Sequence, residues 1–192
     1  MFNLKIIITS TRPGRKGPAI AEWFYALAQQ HPEFNTELID LADMHLPIYD
    51  EPFHPVLRKY EHQHTKDWSA KIDDADAIVW VAPEYNFSFN AAFKNAFDYL
   101  HHEWKFKPAG VVSYGGVSAG TRALEMIKLV LTSGNMMPVT ESVNIPFFTK
   151  LISPDGVFQP PPESEKAAEA MLASLAKWTA ALKPMREVKQ TV

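Results

Sequence analysis

The chain has 192 residues, 46% apolar and 21% charged, with a net charge of −3. This suffices for one well-buried domain, argues against a protein that coats nucleic acid, and is far from the strongly acidic surface of a carrier that docks by charge. The absence of cysteine excludes disulfides, thiolate metal sites and cysteine nucleophiles. No apolar run approaches the roughly 20 residues that span a bilayer, and the first residues lack the basic and apolar blocks of a leader, so a cytoplasmic protein is expected.

In chain order, residues 4–9 are rich in β-branched side chains and predict a buried first strand. A loop marked by Gly and Pro, 10–18, leads to a helix over 19–30, and 36–41 alternates into a second strand. Residues 44–63 hold three prolines and no clean period. They form an excursion that either reaches a neighbouring subunit or covers its own sheet edge. A helix is predicted over 65–74, a third strand over 75–82, a helix over 90–103, a fourth strand over 109–114, a helix over 119–133 and a short fifth strand over 138–143. Pro160-Pro161-Pro162 is a stiff lead into an alanine-rich last helix over 164–182, opened by Ser164 as a cap. Residues 1–183 are expected to form a single domain and 184–192 a loose tail. Strands alternating with helices imply a parallel sheet covered on both faces, and five strands favour the order 2-1-3-4-5 of the flavodoxin-like three-layer α/β sandwich.

Ligands of such sheets bind beyond the carboxyl ends of the strands, so the loops after the first, third and fourth strands matter most. The first runs from Thr9 to Pro18 into a helix N-terminus, where free amides and the helix dipole favour an anion. Ser10 and Thr11 add hydroxyls there, and Arg12, Arg15 and Lys16 add charge. Neither a Walker loop nor a dinucleotide fingerprint fits, because Lys16 is followed by Gly17-Pro18 and only Gly14 and Gly17 are present. In the second loop, Pro83 ends the strand, leaving the amides of Glu84, Tyr85, Asn86 and Phe87 to meet a ligand edge and Tyr85 and Phe87 to face a flat ring. Phe93, Phe97 and Leu100 share a helical stripe and read as core or subunit contact. In the third loop, Gly115-Gly116 after Ser113-Tyr114 permit positive φ and close approach to a flat ligand. One lip with an anion site at one end and a ring site at the other suits a flavin mononucleotide, FMN. His62, His64 and the adjacent His101 and His102 are read as surface histidines, since neighbours on a helix diverge by more than a quarter turn.

At these loops the chain resembles the NADPH-dependent FMN reductase family, with its related quinone and azo-dye reductases. The family carries Gly-Ser-x-Arg, Pro-Glu-Tyr-Asn-x-Ser-x-Pro-Gly-x-Leu-Lys-Asn-Ala and Ser-Tyr-Gly-Gly. Here these stand as Thr9-Ser10-Thr11-Arg12, as the run from Pro83 to Ala96, and as Ser113 to Gly116. The resemblance implies bound FMN, NADPH or NADH as co-substrate, a small-molecule electron acceptor and a homodimer or homotetramer. It places Ser10 and Arg12 at the flavin phosphate, with Gly17, Pro18, Ala19 and Ile20 nearby. Pro83, Glu84, Tyr85, Asn86 and Phe87 fall along the isoalloxazine ring, and Ser113, Tyr114, Gly115 and Gly116 at its other edge.

The flavin would carry the chemistry, taking hydride from NAD(P)H at N5 and passing electrons to free flavin, a quinone or another oxidant, with no catalytic side chain. Glu84 is assigned a binding role through its backbone. A flavodoxin-type electron carrier without nicotinamide turnover is the alternative. Arg12, Arg15 and Arg122 are candidates for a 2′-phosphate. Thr9 for glycine, Asn90-Ala91 for Pro-Gly and Phe93 for leucine depart from the pattern, and Thr9 is expected to bring a Cβ close to the phosphate.

Overall fold

A computed structural model of the chain describes residues 1–187. Strand β1 (Phe2–Ile8) is followed by α1 (Gly17–Ala28), β2 (Phe34–Asp40) and a one-turn helix α2 (Leu41–Met44). Then come α3 (Gln63–Asp73), β3 (Ala77–Pro83), α4 (Ala91–Asp98), β4 (Pro108–Tyr114) and α5 (Thr121–Ser133). Strands β5 (Met137–Pro138) and β6 (Val143–Ile145) precede the long α6 (Pro162–Glu187). The sheet is parallel in the order β2-β1-β3-β4-β5, with β6 also paired to β4. The expected architecture and strand order are therefore present.

Side chains alternate across the sheet as strand periodicity requires. Ile6, Ile8, Val79 and Val81 face one core with Ile20 and Phe24 of α1 and Met171 and Leu175 of α6. Ile7, Ile78 and Trp80 face the other, with Trp68, Phe93, Phe97, Trp104 and Ile127. The stripe Phe93, Phe97 and Leu100 is thus packing, each of its residues at most 5% exposed. Phe97 and Trp104 stack with centroids 4.8 Å apart, and Phe93 meets Trp80 edge-on at 4.9 Å.

Three expectations differ in detail. The fifth strand is split: β5 pairs with the start of β4 and β6 with its end, leaving the exposed, polar Thr140 and Glu141 outside the ladder. The helix expected over 90–103 stops at Asp98 and gives way to a 3₁₀ turn, His102–Trp104. The last helix continues through residues 184–187 of the expected tail, because Lys183 and Arg186 are held by Asp76 at 3.0 and 2.6 Å. Residues 188–192 lie outside the described residues.

The 44–63 excursion is fastened to its own chain. Pro47 O accepts from Asn95 Nδ2 at 2.7 Å and Tyr99 Oη at 3.1 Å, and Tyr49 N donates to Asn95 Oδ1 at 2.9 Å. Asp50 accepts from Tyr99 Oη at 2.8 Å and lies 3.0 Å from His64 Nε2, whose ring stacks on His62. Buried Glu103 receives Ser69 Oγ at 2.7 Å, Tyr60 Oη at 2.9 Å and Arg58 Nε at 3.2 Å, closing the far end of the segment.

Candidate cofactor site

Because β1, β3 and β4 are neighbours, with Ile8 opposite Val81 and Pro83 opposite Tyr114, their following loops meet at one edge. Ser10 Oγ lies 2.9 Å from Tyr85 Oη, joining the first loop to the second. Glu84 N donates to Tyr114 O at 3.0 Å, joining the second to the third.

The first loop ends at α1, whose N-cap residue Lys16 contributes no side-chain cap and whose first turn contains Pro18. Proline suits that turn because its missing N–H would have no helical partner. The amides of Gly17 and Ala19 therefore have no partner within the helix. Ile20 is fully buried, so its side chain is closed to a ligand. Two buried polar atoms near this end, Arg15 Nε and Tyr114 Oη, have no hydrogen-bond partner among the described residues. Arg15 spends its other face on Asp40, which also caps α2 through Ala42 N at 2.9 Å. Arg12 is exposed and in no ion pair among the described residues.

Thr9 behaves otherwise than expected. Its side chain is fully buried, with Oγ1 2.9 Å from Asn90 Oδ1 and 3.1 Å from Val81 O, while Asn90 Nδ2 donates to Thr9 O at 2.7 Å. Its Cβ carries a hydroxyl into the fold rather than toward an anion.

The second loop is a two-residue hairpin. Tyr85 N donates to Ser88 O at 2.8 Å and Ser88 N to Tyr85 O at 2.9 Å, with Asn86 at φ 50° and Phe87 at φ 68°. Positive φ at both central positions is the signature of a type I′ turn, which asparagine accepts readily and phenylalanine does not. The expectation of four free amides is corrected to two: those of Glu84 and Tyr85 are consumed by the lip and the hairpin, and those of Asn86 and Phe87 remain. Pro83 ends β3 and is buried.

Glu84 is buried at its carboxylate, which accepts Ser118 Oγ at 2.9 Å, Arg122 Nε at 2.7 Å and Arg122 N at 3.2 Å. Burial pushes this carboxyl up, but the bonds from Arg122 and Ser118 prevail and hold it below the ordinary glutamate range. It is an anchored anion and not a proton donor. Arg122 also lies over the exposed Phe87 ring, 3.9 Å from its centroid, a cation–π contact that sequence spacing did not reveal.

In the third loop Gly115 and Gly116 do not take positive φ, which falls instead on Ala119 at 54° and Gly120 at 82°. Gly115 is required by crowding, since a Cβ there would meet Gly120 N at 3.0 Å, whereas a Cβ at Gly116 would meet nothing within 4 Å. Ser113 Oγ is spent internally, 2.9 Å from Ala119 O and 2.8 Å from Asn144 Oδ1. The phenol of Tyr114 points to the N-terminus of α1, where a Gly17 Cβ would meet it at 2.6 Å.

The residues at this edge fit a phosphorylated flat ligand. Uncapped amides and two unpartnered buried donors meet at one end, and a hairpin with free amides and an exposed aromatic face stands at the other.

Comparison with known proteins agrees with this geometry. The family model described as NADPH-dependent FMN reductase matches residues 3–150. An NAD(P)H-dependent FMN reductase of Nectria sp. is 33% identical over 203 aligned positions, covering 99% of this chain and 96% of that protein. Another, of Schizosaccharomyces pombe, is 41% identical over 123 residues, 63% of this chain and 62% of its own length. Among solved structures, a flavoenzyme NAD(P)H:(acceptor) oxidoreductase of Paracoccus denitrificans shares the fold, with a TM-score of 0.75 at 20% identity over 95% of this chain and 99% of that one.

Proposed function

The chain belongs to the NADPH-dependent FMN reductase family, and from that membership we propose that it passes reducing equivalents from NAD(P)H through FMN held at this edge to a small acceptor such as free flavin, a quinone or another oxidant. It is an NAD(P)H-dependent oxidoreductase with FMN as cofactor. The observation carrying the placement is the convergence of uncapped amides, Ser10, Arg15 Nε and Tyr114 Oη at the N-terminus of α1. A phosphate settling there would satisfy donors that otherwise have no partner, and Arg12 would add charge from the solvent side.

When bound, FMN supplies the exchange of hydride and electrons that no side chain can perform. The protein's part is to position and to shape. The Asn86 and Phe87 amides are free to meet polar atoms along a ring edge, and the hairpin that carries them is locked by its own hydrogen-bond pair. Glu84 and Arg122 fix that hairpin to α5, so the loops do not reorganise independently. Gly116 leaves open space beside the lip for an incoming nicotinamide or acceptor.

Of the three arginines considered for a 2′-phosphate, Arg15 is paired with Asp40 and Arg122 with Glu84, and Arg12 is assigned to the flavin phosphate. We also infer a homodimer or homotetramer working in the cytoplasm. The exposed apolar side chains of Ile48, Phe53, Leu57 and Phe87 support self-association, which sedimentation of the purified protein tests. The activity is tested by steady-state oxidation of NADPH and NADH by the FMN-loaded protein, with a quinone and ferricyanide as acceptors. Turnover with at least one acceptor is expected; FMN-loaded protein that consumes neither nicotinamide would leave the carrier reading in its place.

A further inference from the structure

Two phenylalanines at the edge of the site face solvent from a backbone conformation that disfavours them. Phe87 is 64% exposed at φ 68°, and Phe147 is 49% exposed at φ 45°. Their near neighbours in sequence go the other way. Phe89 packs on Phe93 with centroids 5.1 Å apart, and Phe148 on Tyr114 at 5.0 Å. A left-handed backbone strains a residue with a bulky side chain, and asparagine or glycine would hold either turn with less strain. A ring left in water also gains nothing from burial. The fold therefore needs neither outward ring.

Each of these rings nevertheless has a cation over it. Arg122 lies 3.9 Å from the Phe87 centroid, and Lys150 Nζ 5.3 Å from that of Phe147. Both rings border the third loop, because β4, which carries it, lies between β3 and β6. The Phe87 hairpin is joined to that loop where Glu84 accepts Ser118 Oγ at 2.9 Å, and Phe147 N donates to Gly116 O at 3.1 Å. On the loop itself Val117 is 79% exposed, and a Cβ at Gly116 would meet nothing within 4 Å. Glu84 offsets the charge of Arg122 at 2.6 Å, whereas Lys150 is in no ion pair among the described residues, so this rim is net positive.

We propose that Phe87 and Phe147, with Arg122 and Lys150, receive the electron acceptor and select flat aromatic acceptors bearing a carboxylate or sulfonate over neutral ones of the same shape. This rests on the flavin reading given above. Exposed ring faces take a planar molecule by stacking, and the cations add charge-assisted contact with an anionic substituent. The backbone strain at both positions is then offset by contacts that form only with substrate. The Phe87 amide stays free for the flavin edge while its ring serves the acceptor.

The test uses FMN-loaded full-length protein and two matched quinones, anthraquinone-2-carboxylate and anthraquinone-2-carboxamide. Binding to the oxidised protein is read by quenching of tryptophan fluorescence. Turnover is read anaerobically: NADPH and one proton convert the quinone to its hydroquinone and leave NADP⁺, the hydride bringing both electrons and one of the two protons. Wild-type protein is expected to bind the carboxylate about fivefold more tightly than the carboxamide. Lys150→Gln is expected to bring that preference within about twofold and to leave carboxamide affinity unchanged. Phe87→Asn and Phe147→Asn are each expected to weaken both quinones about fivefold, through KM and not kcat, and to melt at or above the wild-type temperature. Equal wild-type binding of the two quinones, a preference undiminished in Lys150→Gln, or affinities unchanged in both asparagine variants overturns the proposal. A Phe87→Asn protein that loses FMN also overturns it, by assigning that ring to the cofactor. Wild-type protein that takes up no FMN overturns the flavin reading instead, a result seen before either quinone is added.

Discussion

Thr9 and Asn90 show how two departures from a family pattern can be a single change. A glycine at position 9 has no hydroxyl and a proline at position 90 no side-chain amide, whereas here the two side chains bond each other across 81 positions, both fully or nearly fully buried. The hairpin and the first loop are thereby clamped beneath the lip. Asn90→Ala is expected to cost about 1–3 kcal/mol, since it removes the side-chain donor to the buried Thr9 O and leaves Thr9 Oγ1 with Val81 O alone. Thr9→Val is expected to cost less in that background than in the wild type, with a coupling of about 1 kcal/mol in a denaturant-based double-mutant cycle.

Lys107 gives a second prediction at this scale. It is 3% exposed, with Nζ donating to Ile72 O and to Asp73 O at 3.2 Å at the end of α3. Burial, with Arg186 nearby, pushes its pKa down to about 8 from 10.5. Between those values the unfolded chain keeps a proton that the folded one has released, so this group's contribution to stability rises with pH. A gain of up to about 3 kcal/mol is expected on going from below 8 to just under 10.5, and Lys107→Met should abolish it in denaturant midpoints measured at the two ends.

At the scale of elements, periodicity located the buried strands because β1 ends in a β-branched run and β3 and β4 are apolar over most of their length and bordered by Pro or Gly. It failed where local pattern and tertiary contact part. The split of the fifth strand depends on which stretch of β4 each half finds, and the end of α4 at Asp98 depends on Trp104 folding back, its Nε1 donating to Phe97 O at 3.0 Å. At the site, the loops themselves were legible from Gly, Pro and the Pro-Glu-Tyr-Asn run. The assignment of amides was not, because Glu84 N is used by a strand distant in sequence.

The 44–63 excursion had no period to read, and its order comes from side chains outside it. Burial raises the Glu103 carboxyl, but Ser69, Arg58 and Tyr60 together hold it below the ordinary range. Glu103→Ala is therefore expected to loosen residues 51–62 selectively, seen as faster amide exchange and proteolytic nicking there, while protection in β1 and β3 is unchanged.

At the scale of the whole molecule, the end of the sheet opposite the site is tied by Asp76. Its carboxylate receives Asn3 N at 3.0 Å, Lys183 Nζ at 3.0 Å and Arg186 at 2.6 Å, joining the first strand to the last helix. Burial raises this carboxyl, but those partners lower it further, to below the ordinary 3.8. Its contribution is complete above that value and is lost as pH falls through the lowered one. Asp76→Asn is expected to cost about 2–4 kcal/mol at neutral pH and to flatten the acid limb of the stability curve, followed by circular dichroism. The Asp76 clamp thus lies at one end of the sheet, and the candidate cofactor site at the other. The most direct measurement mixes FMN-loaded protein anaerobically with NADPH in a stopped-flow instrument and follows the visible flavin absorbance. Bleaching at a rate that saturates with NADPH, then recovery on adding a quinone, is the expected result; bound flavin that stays oxidised in excess NADPH and excess NADH would contradict it.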